Sequence, residues 1–545
     1  MSALYFVLLL GGLIFVHELG HFLLAKASGV RVITFSIGFG PALIKKKWGD
    51  TEYKIAAIPL GGFVRMHGDE PGQEVPEEEK SVAFNYKPLW KRTLIVLAGP
   101  VFNMILPFFV FFFMFLTHGE LLPAYIGAVT PGGPAWEAGI RPGDVITRMD
   151  GEEISYWWEM QARVNDSIGR ELDITVARGD EEETFKVTPE LAEVVLLRHV
   201  DLVEKEGRIQ VTQVYVEPVV GVAPAGIAYA AGLRNWDRVL RFNGQPVKTY
   251  AELERELKKS PTPVTLDVLR EAPRGNIAHA LFSMPGDPLQ ITLDPAAGDL
   301  QMWDAEMVVH VVDDDTAAAD IGLRPGDRIL TVDGKSYPLW MIMEAELAAL
   351  VESEHTIVWF DGTQERSAEF SLASKTEKGE FNEDRQVVVF GAHNHSRINI
   401  PDPIPNNSRL YYALRGSWLD SLGAFKVTLA SVGGLVVGKV PIKEMGGPIL
   451  IYDMASRTEK HGWPFFFNLM AWLSISLGVI NLFPIPILDG GHLFFFAIEA
   501  VTRREVPLKI RQVAAYVGLA LILLLMVVVF KNDIARNWDT ISSWF

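Results

Sequence analysis

Residues 2–27 read SALYFVLLLGGLIFVHELGHFLLAKA. This stretch decides the class of the protein. It is an apolar run of helical length that holds His17, Glu18 and His21 in the order HELGH. A bilayer core takes about 20 helical residues, and the run reaches that length only with the polar residues included. It has no basic lead and no small-residue cleavage site ahead of the charged cluster, so a spanning helix is expected rather than a secretory signal. On a helix, residues four apart share a face, so both imidazoles can reach one metal ion. Glu18 beside them is placed to serve a water as general base. Two histidines and a glutamate inside an apolar span are costly there and point to function before packing.

Three more apolar runs follow: Thr93–Leu116, Phe465–Leu488 and Gln512–Phe530. Together they predict a polytopic α-helical membrane protein with about four transmembrane helices. Residues 1–117 carry 11 basic and 9 acidic side chains, and residues 463–545 carry 6 and 5. The middle, 118–462, carries 33 and 53, which accounts for the chain's net charge of −17. Lys26, Arg31, Lys87, Lys91 and Arg92 flank the first two spans on one side, and Arg503, Arg504, Lys509 and Arg511 lie between the last two. The positive-inside rule places both short loops in the cytoplasm. The acidic middle is then expected outside, in the periplasm of a cell that has one. Acidity excludes nucleic acid as the main partner. Cysteine is absent, so disulfides, thiol catalysis and cysteine metal sites are excluded.

The middle repeats itself. AGIRPGDVITRMDGEEI from Ala138, AGLRNWDRVLRFNGQPV from Ala231 and IGLRPGDRILTVDGKSY from Ile321 align at spacings of one small domain. Each predicts a short helix ending at Gly, a turn, a strand and an (Asp/Asn)-Gly hairpin turn, followed by a helix. The helices are clearest at Tyr250–Lys258 and Trp340–Val351. The pattern resembles the PDZ fold in its circularly permuted bacterial form, which takes peptides by adding a strand to a sheet edge. The second copy departs from it, with Asn235-Trp236 in place of Pro-Gly, which bears on peptide binding more than on fold. Beyond the repeats, 409–437 reads as one or two amphipathic helices broken near Gly433-Gly434.

A catalytic zinc site takes three protein ligands and leaves a position for water. Asp489 is the candidate third ligand, because it lies at the expected cytoplasmic end of its helix, as His21 does. His492 is a rival. Pro484 and Pro486 require an unwound backbone just before it.

VHELGHFLLAK (16–26), FSIGFGPAL (35–43), TEYKIAAIPLGGFVRM (51–66), AGPVFNMI (98–105), GGPI (446–449) and INLFPIPILDGGHL (480–493), with the repeats, resemble the site-2 proteases in their bacterial, sigma-factor-regulating form. The resemblance covers nearly the whole chain in the family's order. It implies Zn2+ as cofactor, His17, His21 and Asp489 as ligands and Glu18 as catalytic base. It also implies that Asn103 and Asn481 hold substrate, that 35–66 forms a membrane-associated β-sheet, and that the substrate is a single-pass transmembrane protein. Three PDZ-like copies depart from the two that are common in that form.

The expected layout is therefore a membrane core half at 1–117, PDZ-like α+β domains at 124–200, 210–295 and 300–395, a helical connector at 405–462, and the second core half at 463–545. The expected place is a bacterial inner membrane, with the repeats outside, the active site toward the cytoplasm, and lipids and PDZ ligands as further partners. A strand edge within 51–66, with Gly61 and Gly62 permitting close approach, is expected to pair with unwound substrate. The outer array is expected to exclude substrates that still carry a bulky outer domain. An inactive membrane-anchored PDZ scaffold leaves the intact HELGH and LDG motifs unexplained, and a transporter leaves the repeats unexplained.

Overall fold

The computed structural model describes residues 2–70, 75–197, 200, 202–270, 289–348, 354–378, 384–395 and 398–538. The chain divides into two compact units: 1–119 with 195–203 and 406–545, and 120–194 with 204–405.

In the first unit, α1 (Ser2–Ala27) is followed by strands β1 (Val32–Trp48) and β2 (Thr51–Met66) and then by α2 (Leu89–Leu116). After the repeats come α3 (Arg409–Val436), α4 (Pro448–Ser456), α5 (Thr458–Asn481), α6 (Asp489–Thr502) and α7 (Leu508–Arg536). Five of these helices (α1, α2, α3, α5 and α7) are long and apolar enough to cross a membrane. The fifth candidate is α3, which carries Arg415, Asp420 and Lys426 along its length. The expected break near Gly433-Gly434 is absent, because α3 runs through both glycines to Val436. One glycine pair near the end of a 28-residue helix is not enough to stop it.

The sheet narrows the expectation about edges. Thr34–Ile37 lie opposite Arg65–Gly62 and also opposite Glu52–Ile55, while Glu52–Ile55 lie opposite Lys47–Ile44 as well. The two strands therefore make a sheet four segments wide, with 52–55 in its interior. Only 62–66, within the expected span, is at an edge among the described residues. The positive φ of Gly38 and Gly40 (90° and 86°) lets β1 fold across its own neighbour.

Helix α7 is held at its far end by a carboxylate. Buried Asp533 accepts the backbone N–H groups of Gly447 (2.9 Å), Ile449 (2.9 Å) and Leu450 (3.3 Å), the unpaired donors at the start of α4. Helix α4 in turn packs Ile451, Met454 and Ala455 against Leu9 and Leu13 of α1.

In the second unit, each repeat closes on itself. Val211–Thr212 pair with Ala128–Val129, Met302–Asp304 with Val220–Val222, and Ala392–His393 with Val311–Val312. Each repeat thus ends on a strand that returns to its first. This is why the cores run past the expected boundaries: Ile209 and Val211 belong to the first core, and Leu300 and Met302 to the second. The predicted turns are present, with Asp150-Gly151, Asn243-Gly244 and Asp333-Gly334 all at positive φ. The following helices are Trp157–Asn165, Tyr250–Lys259 and Trp340–Leu347; of the predicted third helix, 349–351 lie outside the described residues.

One buried aspartate recurs, with a difference. Asp144 accepts Arg141 N–H (2.8 Å) and a two-pronged contact from Arg178 (2.8 and 2.7 Å). Asp237 accepts Arg234 N–H (2.8 Å) and the same fork from Arg270 (2.7 and 2.6 Å). Asp327 keeps the Arg324 N–H (2.9 Å), but Asp361 stands where the arginine would be. Burial first, and then the charge of Asp361, push the Asp327 carboxyl above its ordinary value. A raised folded-state value stabilises the fold at low pH, and that contribution is lost as pH rises through it. At pH 7 Asp327→Asn is therefore expected to leave the melting temperature unchanged or raised. Asp144→Asn is expected to cost about 1–3 kcal/mol by weakening a charge-assisted fork. Calorimetry on the full chain checks this; equal losses for the two variants would refute it.

Candidate metal centre

The site is built where α1 and α2 cross. A Cβ on Gly20 would overlap the Ala98 carbonyl, and one on Gly99 would overlap His21 Nε2 and stand 2.9 Å from His17 Cε1. Small residues let two helices in a membrane approach closely. Here they also let the histidine face of α1 lie against the α2 backbone.

Three side chains converge at this crossing. His17 Nε2 and His21 Nε2 are 3.2 Å apart. Asp489 Oδ2 is 3.1 Å from His17 Nε2, and Oδ1 is 3.5 Å from His21 Nε2. Their donor atoms form one group within 4.8 Å, and the rival His492 is not part of it.

Asp489 opens α6, after the irregular stretch 482–488 that the prolines predict. Side chains on Gly490 or Gly491 would overlap the carbonyls of Phe483 and Ile485, so the stretch folds tightly onto the helix start. Helix α6 is tied to α2 by the buried pair Arg92–Glu499, with contacts of 2.5 and 3.3 Å.

The nitrogens of the histidines that face away from this point are also engaged. His21 Nδ1 lies 2.8 Å from the Ile95 carbonyl, which only accepts, so Nδ1 carries the proton and Nε2 keeps its lone pair. His17 Nδ1 lies 3.2 Å from the Asn103 amide and 3.5 Å from that of Asn481. Asn103 is 0% exposed, and its Oδ1 is buried without a partner. Turned over, that amide would present Oδ1 to His17 Nδ1–H as an acceptor. Ser474 Oγ donates to the Asn103 carbonyl at 2.7 Å and ties α5 to this turn of α2.

The donor set suits zinc. Bonds of 2.0–2.1 Å in tetrahedral array place ligand atoms about 3.3–3.4 Å apart. The three separations observed span 3.1 to 3.5 Å. Two neutral imidazoles oriented by outer partners and one carboxylate form a usual donor set for a catalytic ion.

Of the other expected residues, Glu18 faces the sheet: a Cβ on Gly62 would come within 3.0 Å of Glu18 Cγ. Gly62 lies at the start of the free edge 62–66, and Gly61 takes φ +135°. Gly20, Gly99, Ser474 and the Ile95 carbonyl were not legible in advance, because none is a polar side chain in an apolar run with an obvious partner.

This crossing, with two helical histidines and an aspartate from a distant segment, occurs in a chain that belongs to peptidase family M50. The family matches residues 5–525. The chain is similar to the regulator of sigma-E protease RseP of Escherichia coli, with 29% identity over 97% of this chain and 98% of that one. It is also similar, at 28% identity over 97% and 98% of the two chains, to a Vibrio cholerae protein named as a zinc metalloprotease. A solved PDZ domain of an SdrC-like protein from Listeria monocytogenes matches 17% of this chain and 90% of its own, at 22% identity and a TM-score of 0.15.

Proposed function

We propose that the protein is a zinc-dependent intramembrane protease that cleaves the transmembrane segment of single-pass membrane proteins after their outer part has been trimmed. The convergence of His17, His21 and Asp489 inside a spanning bundle carries this reading. His17, His21 and Asp489 are the ligands, and the ion supplies Lewis acidity that makes water acidic and polarises a carbonyl. Glu18 accepts the proton of the attacking water and passes it to the leaving amine. The edge 62–66 supplies backbone partners to an unwound substrate strand beside Glu18, and Gly61 and Gly62, where a Cβ would overlap Phe39 and Ile14, let that edge lie close against the sheet and α1. Asn103 and Asn481 hold the substrate and orient His17. The membrane is the bacterial inner membrane, with the site toward the cytoplasm and the repeats, read as PDZ-like domains, outside. Helix α3 is a surface connector rather than a span, so four helices cross. The outer array excludes substrates that have not been trimmed.

The test uses purified protein in liposomes with two forms of one single-pass substrate, one with and one without a folded outer domain. Cleavage inside the apolar segment of the trimmed form, lost with chelator and regained with zinc, supports the reading. Chelator-resistant cleavage sinks it. Equal cleavage of both forms removes the exclusion role alone.

Asn103 gives a separate expectation. Asn103→Leu removes the nearer of the two amides beside His17 Nδ1 and leaves only Asn481 at 3.5 Å, whereas Asn103→Asp keeps an acceptor at the nearer place. Zinc affinity is expected to fall about 10–100-fold in the first and much less in the second. Competition with a chromogenic chelator reads this without activity, and equal affinities would remove the orienting role.

A further inference from the structure

The second repeat breaks its own pattern at one backbone position. Gly143 N–H donates to the Ile126 carbonyl, Trp236 N–H to Val220 and Gly326 N–H to Val309, each at 2.8 Å. The three residues therefore occupy one position in three copies. It requires positive φ: 94° at Gly143, 73° at Trp236 and 98° at Gly326. Two copies place glycine there, the residue to which that conformation costs nothing. The second places the bulkiest side chain available, in a conformation that L-residues adopt under strain.

The side chain has a partner in the third repeat. Trp236 Nε1–H donates to His310 Nδ1 at 2.9 Å, and the two rings lie 4.9 Å apart. Indole nitrogen only donates, so this Nδ1 accepts. Trp236 and Trp303 of the second repeat pack with Val219 against Ala305 and Val308 of the third, in a small core of their own. Asn235, the other departing residue, accepts Val222 N–H at 2.7 Å, and its amide lies 3.3 Å from where a Cβ of Gly326 would be. The two equivalent turns thus meet face to face. No linker separates the copies: Met302–Asp304 closes the second sheet, and Ala305 begins the next element.

We infer that Asn235-Trp236 is a joint, and that the second and third repeats act as one rigid tandem body through the contact of Trp236 with His310. The departure from Pro-Gly is then a change of use: a turn that is local in the other copies becomes an interface in this one. The inference concerns the array alone and stands whether or not the protein is a protease.

The full chain has no native cysteine, so spin labels can be placed cleanly. One pair, Lys259→Cys with Glu369→Cys, spans the two repeats; a control pair, Gln245→Cys with Lys259→Cys, lies within the second. Pulsed dipolar spectroscopy is expected to give a narrow distance distribution for both pairs. Trp236→Gly restores the residue of the other copies and relieves the strain. It is expected to widen the spanning distribution at least twofold and leave the control unchanged. A spanning distribution that is already broad, or one that stays narrow in Trp236→Gly, would overturn the joint. If that variant disturbs the control, His310→Phe, which leaves the second repeat's sequence intact, decides by the same two readings.

Discussion

Glu18→Gln is expected to lower peptide-bond cleavage by about 10²–10⁴-fold, the range for loss of a positioned general base, while zinc content stays near that of the parent. Gln keeps the size and a hydrogen-bonding oxygen but does not take a proton. On the proposed reading the metal donors are His17, His21 and Asp489, so nothing that would hold the ion changes. Glu18 stands within reach of the sheet edge at Gly62, where a substrate strand would lie. The loss should therefore appear in kcat, with apparent substrate affinity little altered. Full activity in this variant would mean that another group takes the proton or that the cleavage comes from elsewhere. Loss of zinc together with activity would mean that Glu18 helps build the site instead of working in it.

Gly99→Ala is expected to do the reverse: zinc retention falls more than tenfold, and activity falls with it. The added methyl would overlap His21 Nε2 and press on His17 Cε1 at 2.9 Å. The crossing is already as close as the backbones allow, since Gly20 abuts the Ala98 carbonyl. Relief requires α1 and α2 to separate or the imidazoles to turn. Either one moves lone pairs that now converge to within 3.5 Å of a single carboxylate. Metal sites tolerate only a few tenths of an ångström in their donor distances. Metal analysis after dialysis reads this directly, and normal zinc content in Gly99→Ala would show that the crossing gives way without loss.

Much of this site could be read in the sequence, and the boundary is instructive. His17, Glu18 and His21 stand out because polar groups in an apolar run demand a reason, and Asp489 because it ends another such run at the same expected depth, within the motif that the family resemblance supplies. Gly99 does not, because a glycine among apolar residues announces nothing until the helix that crosses it is known. The Asn103–His17 contact joins positions 86 apart in the chain, and no local pattern encodes it. The repeats were legible in their turns, where Asp-Gly and Asn-Gly leave a strong local mark. Their limits were not, because each closing strand follows the recognisable part and its pairing is settled by tertiary register. The interior place of 52–55 in the sheet was hidden for the same reason. Trp236 was visible as an anomaly, but its meaning lay in a residue of the next repeat.

The donors arrive at very different times in the life of the molecule. His21 and Asp489 are separated by 468 positions, the difference of their residue numbers. At synthesis rates of about 5–20 residues per second, the aspartate is made roughly 25–95 s after the histidines. Throughout that interval the growing chain holds two imidazoles and a base but no third anchor. On the proposed function, a protease whose histidines and base are made first is thus kept unarmed until the repeats and Asp489 have been made. The long separation of the proposed ligands along the chain would then work as a safety interlock on its own biogenesis.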